Sequence, residues 1–170
     1  MKKKICILLS VVLCMILISC NFQNREISMK KFEEKVDIYK NKIQNIDATL
    51  KIKESISACQ DGDHIVVYSI EASTGACFGI TLTVISSKKA ELSITFDNSN
   101  EEWHADNIKL FTSFISELTN YGLQFDEIKS AIDSMKKSDY HRFNRKASLS
   151  WDDYHSTLCY TETFQIDDVS

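Results

Sequence analysis

The chain has 170 residues, with 20 Lys and Arg against 24 Asp and Glu for a net charge of −4, six cysteines, four glycines and no proline. At 44% apolar residues it is too hydrophobic for a disordered segment and too poor in Pro and Gly for a low-complexity stalk. Its acidic balance also excludes the usual nucleic-acid binder, which needs clustered Lys and Arg to neutralise phosphates.

Lys2, Lys3 and Lys4 precede an apolar run from Ile5 to Ser19. A basic head followed by such a core has the layout of an export signal, and the run is short of the ~20 residues a spanning helix needs. The run closes on Leu17-Ile18-Ser19-Cys20, which resembles the lipobox of bacterial lipoproteins: a branched residue, a spacer, a small residue and a cysteine. The resemblance covers residues 1 to about 21. It implies that Cys20 receives a diacylglyceryl group on its thiol and becomes the first residue of the mature protein. It further implies export and lipid anchoring, with Asn21 in place of aspartate favouring the outer membrane in a two-membrane cell.

Residues 1–19 then form a signal peptide, 20–27 a short tether, and 28–170 a single domain. The signal holds three basic residues and no acid, so the mature chain of 151 residues carries a net charge of −7. Seven extended tether residues, Asn21 to Ile27, reach at most ~25 Å, which keeps the domain beside the bilayer.

From Ser28, a plausible N-cap, apolar residues recur at Met29, Phe32, Val36, Tyr39, Ile43, Ile46 and Leu50. The alternation of three and four puts them on one helical face. A helix lying on a sheet is the preferred reading, and a short dimerising coiled coil is the alternative. Ile52, Ile56 and Cys59 extend this helix or form a second short one, and Asp61-Gly62-Asp63 is a stop and turn. Three strands are predicted next, over His64–Glu71, rich in β-branched residues, and over Ala76–Ile85 and Ala90–Phe96, which alternate apolar with small or polar residues. Their short connections predict an antiparallel meander.

The segment Asp97 to Ala105 reads as a polar loop. Asp97-Asn98-Ser99-Asn100-Glu101-Glu102 fails as a calcium loop, since the sixth position needs Gly and the twelfth, Ile108, needs Glu. Asp106 is predicted to cap a helix bearing Ile108, Phe111, Phe114, Ile115, Leu118 and Tyr121, ended by Gly122. Asp126 opens another, with Phe125, Ile128, Ile132 and Met135 in line and Lys136 and Lys137 at its negative end. Two last strands are expected at about Arg142–Trp151 and His155–Ile166, joined by Asp152-Asp153-Tyr154. Large apolar groups on one side of most strands, with Thr, Ser or small residues on the other, describe a sheet covered on one face and wet on the other. The expected fold is therefore α+β, a two-layer sandwich of about five antiparallel strands with helices on one face, in the order α-βββ-αα-ββ.

Removal of Cys6 and Cys14 with the signal and modification of Cys20 leave Cys59, Cys77 and Cys159 in the domain. Strand parity puts Cys77 and Cys159 on the threonine-bearing face, where a disulfide forms if their strands are neighbours in register. No nucleophile elbow, P-loop, zincin or dinucleotide motif is present, and no cofactor is indicated. His64 beside Asp61 and Asp63, and His155 beside Asp152 and Asp153, are turn clusters more often solvated than metal-bound.

The expected function is that of a membrane-anchored envelope lipoprotein acting as a non-catalytic binding or interaction domain with an envelope protein partner. It would act through the wet sheet face or through the polar loop with Trp103 and His104. The alternative is a small envelope enzyme or ligand-binding protein whose site is assembled from residues far apart in sequence. A deep pocket with convergent ionisable groups would favour the alternative.

Overall fold

A computed structural model describes residues 30–58, 64–86, 88–97, 105–135, 139–152 and 157–166. The signal and lipobox, the tether, Ser28, Met29, Cys59, the Asp61-Gly62-Asp63 turn, Trp103, His104, Lys136, Lys137 and Asp153 to His155 lie outside the described residues.

Helix α1 covers 30–46, and its Phe32, Val36, Tyr39 and Ile43 are buried in the core. The apolar stripe thus faces the sheet, as its preferred reading requires. The helix stops short of Leu50. The Asp47 carboxylate accepts hydrogen bonds from the Thr49 backbone N–H (2.8 Å) and hydroxyl (2.7 Å), a local turn that competes with further helix.

After that turn comes strand β1, Lys51–Ala58, where the sequence had pointed to helix. Here Ile52 and Ile56 fit both periods, but Lys51, Lys53 and Ser55 alternate with them at period 2. Pairing decides the outcome: β1 runs antiparallel to β2, His64–Glu71, in unbroken register from Lys51↔Glu71 to Ala58↔His64. The meander continues through β3, Cys77–Ser86, and β4, Lys89–Asp97. Between β2 and β3 the Ala72 N–H bonds to Ala76 O at 2.9 Å, and Gly75 takes φ +83°, a left-handed turn conformation that favours glycine.

Helix α2, Ala105–Leu118, and helix α3, Phe125–Ser134, follow. Asp106 and Asp126 lie in their first turns, where a carboxylate suits the helix dipole, and not at the caps. The predicted single strand near Arg142–Trp151 is a hairpin of β5, Tyr140–Arg142, and β6, Ala147–Asp152. Asn144 makes the break: its side-chain oxygen accepts from the N–H groups of Lys146 (2.7 Å) and Ala147 (2.9 Å). The last strand is β7, Thr157–Gln165.

These strands form one seven-stranded antiparallel sheet in the order β1-β2-β3-β4-β7-β6-β5, two strands more than expected. The α+β class and the placement of helices on one face hold. Strand β4 is central, and its Ala90, Leu92, Ile94 and Phe96 are fully buried. Over it, Phe78 stacks on Phe96 with ring centroids 4.9 Å apart, and Phe114 and Phe111 of α2 close on that pair. The edge strand β1 carries Lys51, Lys53 and Glu54, charges that discourage edge-to-edge pairing.

On the opposite face Gly79 of β3 lies directly across from Thr95 of β4. A Cβ added at Gly79 would stand 2.6 Å from Thr95 Oγ1, which donates to Gly79 O at 3.3 Å. Gly79→Val is therefore expected to lower stability by about 1–3 kcal/mol in urea titration, with Thr95→Ala in the same chain recovering much of the loss.

Candidate binding surfaces and a buried polar cluster

Three features of the domain carry chemistry. The first is the uncovered sheet face, where Thr81, Thr83, Ser93, Thr95, Ser148, Ser150, Thr161 and Thr163 are half-buried among their neighbours. No described helix packs on it. At one end of it a depression of about 530 Å³ is bordered by Lys51, Lys53, Ser69, Glu71, Gly79 and Asp97.

Cys77 and Cys159 share this face, as parity predicts, but both thiols are free. The expected disulfide fails on strand order: β4 lies between β3 and β7, and Cys77 is aligned with Asp97 and Thr157 while Cys159 is aligned with Thr95. Two strand spacings of ~4.8 Å and a two-residue offset put the thiols beyond the ~7 Å Cα limit for bridging. Cys159 instead sits 3.5 Å from the Ser93 hydroxyl, and burial pushes its thiol pKa up. It is poorly disposed to ionise, whereas Cys77 is exposed.

The second feature is a cavity of about 580 Å³ between α2, α3 and the end of β6. Ala105, Ile108, Lys109 and Thr112 come from one face of α2, Phe125, Lys129, Ile132 and Asp133 from one face of α3, and Trp151 from β6. Such spacings place each set on a single helical stripe. The buried Thr112 hydroxyl donates to Ile108 O at 2.7 Å, and the Lys129 ammonium pairs with Asp133 at 2.5 Å.

The third is a carboxylate inside the core. Glu162 of β7 is 1% exposed and lies on the strand's apolar side, between Tyr160 and Phe164. Its Oε2 accepts from the Tyr160 hydroxyl (2.6 Å) and the Thr119 hydroxyl (2.8 Å); its Oε1 accepts from the Asn120 backbone N–H (2.9 Å) and side-chain amide. The same amide donates to the Tyr39 hydroxyl at 2.7 Å, and the Lys35 ammonium donates to Asn120 Oδ1. Burial, then the charge of Glu162, holds the Tyr39 and Tyr160 phenols well above their ordinary pKa. Burial and the nearby Lys42 lower that of Lys35, partly offset by Glu162.

None of Lys35, Tyr39, Thr119, Asn120 or Glu162 stood out as polar machinery in the sequence. The one available signal was a gap: Leu158, Tyr160, Phe164 and Ile166 mark an apolar row in which position 162 should be apolar and is not. Of the two histidine clusters, His64 is described by its backbone only and His155 lies outside the described residues. Among the described residues no three His, Cys, Asp or Glu side chains gather at metal-binding distance. The chain matches no family model, no curated protein and no solved structure.

Convergent ionisable groups are thus present, but they satisfy one another within the core, and Glu162 borders neither the helix cavity nor the sheet-face depression. Glu162→Gln would turn an amide donor toward groups that now donate to a carboxylate. It is expected to cost about 2–3 kcal/mol by urea denaturation.

The phenols set the alkaline limit. Tyr68, buried with its hydroxyl on Val36 O at 3.1 Å, also has a raised pKa, caused by burial and then by Glu54 and Asp37. Above pH ~10 an unfolded phenol releases its proton while these three folded ones keep theirs, so stability falls as pH rises. Lys35 acts in the opposite sense, because its folded form binds the proton less readily than its unfolded form. Its effect is confined to pH values below the ordinary lysine pKa of ~10.4 and fades above it, where the three phenols act alone and the loss approaches ~4 kcal/mol per pH unit once the unfolded phenols are ionised. Denaturation series between pH ~10 and ~12 should show this steepening loss, and Tyr39→Phe should reduce its limiting slope by about 1.4 kcal/mol per unit.

Proposed function

We propose that this protein is a lipid-anchored envelope lipoprotein whose folded domain is a non-catalytic binding module. The observation that carries the reading is the sequence Lys2-Lys3-Lys4, the apolar run, and Leu17-Ile18-Ser19-Cys20. Cys20 is the lipidated residue. Two or more acyl chains, each adding about 0.8 kcal/mol per buried methylene, hold such a protein on its membrane. No helix among the described residues is long and apolar enough to cross a membrane, so nothing described there supplies a second helical anchor. Asn21 directs the protein to the outer membrane where the cell has one, and otherwise to the outer face of the cell membrane.

The domain's chemistry supports binding over catalysis. The cavity between α2, α3 and β6 is walled largely by apolar groups with an ion-paired rim, and the dense cluster of polar side chains around Glu162 is closed on itself in the core. The broad hydroxyl-bearing sheet face offers hydrogen-bonding groups to an envelope protein partner, and the acidic mature chain has no attraction for nucleic acid.

Cells fed radiolabelled palmitate should label this polypeptide, and Cys20→Ala should abolish the label and leave an uncleaved precursor of slower mobility. A wild-type chain that stays unlabelled, or a Cys20→Ala chain labelled as before, overturns the anchor.

A further inference from the structure

We propose that the cavity between α2, α3 and β6 binds the hydrocarbon chain of a single-tailed amphiphile whose head group carries no net charge. Its volume of about 580 Å³ lies within the ~300–1,000 Å³ typical of small-ligand sites. The walls decide the chemistry of the occupant. Ile108 and Ile132 are nearly fully buried, Phe125 and Trp151 are half-buried aromatic surfaces, and all four line the space. Two of the polar groups among them are engaged within the protein: Thr112 bonds back to Ile108 O, and Lys129 is neutralised by Asp133. A wall of this kind gives water few partners and favours an apolar guest.

Shape narrows the guest further. The lining runs from Ala105 to Thr112 on α2 and from Phe125 to Asp133 on α3, roughly 11 Å along each axis at 1.5 Å per residue. That length accommodates an extended chain of about nine carbons. The rim narrows the head group. Asp106 and Lys109, one turn apart on α2, and the Lys129–Asp133 pair give two acids and two lysines, a balanced set that favours a zwitterion over a net anion. The proposal is independent of the lipid anchor, since the slot would take such a chain wherever the protein resides.

The test uses the full chain in its native membranes and a lysophosphatidylcholine with a diazirine in its acyl chain as the probe. Photolysis should label peptides containing Ile108, Phe125, Ile132 or Trp151, and excess unlabelled lysophosphatidylcholine should remove the label more effectively than excess palmitate. Ile132→Trp, which fills the slot, should reduce that labelling at least fivefold, and Phe125→Trp provides a second filling variant should the first not fold. Labelling spread evenly over the domain, unaffected by competitor, overturns the proposal. So does labelling undiminished in a folded filling variant, better competition by palmitate, or recovery of these residues crosslinked to a partner polypeptide in place of the probe. Because a Cys20→Ala chain should still be labelled at the slot, failure here and failure of the anchor are separately visible.

Discussion

Glu162 is the junction through which three parts of the domain are fixed to one another. It belongs to β7, takes hydrogen bonds from Thr119 and Asn120 at the end of α2, and reaches Tyr39 and Lys35 of α1 through the Asn120 amide. Apolar packing fixes the seat of α1 less specifically than directed polar contacts do, since several hydrophobic arrangements can bury the same surface. A carboxylate with its acceptor sites filled is not indifferent, because any displacement leaves a buried polar group without a partner. Lys42 adds to the same alignment by donating to Glu117 O at 2.9 Å, which occupies a carbonyl that the end of α2 leaves open. Helix α1 is thereby held in one place on the sheet.

The sheet's own constraint is the parity of its strands. In β3, β4 and β7 every second residue is buried, and those between the buried ones are Gly, Thr, Ser, Cys or Glu. Such a division cannot tolerate a one-residue slip, which would bring the aromatic layer of Phe78 and Phe96 into water. Close approach on the wet side reinforces it, with Thr95 resting on the backbone of Gly79. The two faces are thus chemically different surfaces, one a dry interior and the other a lattice of hydroxyls without a covering helix among the described residues.

Strands β3, β4 and β7 were legible in the sequence because their alternation is long and their burial one-sided, and β2 because it is rich in β-branched residues. The stripe of α1 was legible for the same reason at period 3.6. Strand β1 was not, since Ile52 and Ile56 are four apart and satisfy helix and strand alike; only the partner strand, remote in sequence, decides between them. The β5–β6 break was hidden in Asn144, whose side chain makes a turn that periodicity cannot register. The disulfide expectation was right about the face and wrong about adjacency, because parity fixes direction while strand order depends on where the last hairpin inserts. The buried cluster was illegible for a related reason: Lys35, Asn120 and Glu162 are spread over most of the chain and meet only when α1, α2 and β7 are assembled.

The position of that cluster bears on how an anchored domain would be oriented. It sits at the C-terminal end of α2, whereas the apolar slot lies along Ala105 to Thr112 toward the N-terminal end, roughly 10 Å or more from Thr119 along the axis. Were Cys20 lipidated as proposed, the nine residues from Asn21 to Met29 would reach at most ~32 Å, so an anchor there would constrain the end of the body where α1 begins. The slot lies toward the other end of α2, away from the groups of that helix's C-terminal end that seat α1. Loads on the tether would therefore be borne by Glu162 and its partners, while the walls of the slot depend on the packing between α2 and α3. The two can vary separately, so a substitution that loosens α1 need not alter what the slot accepts.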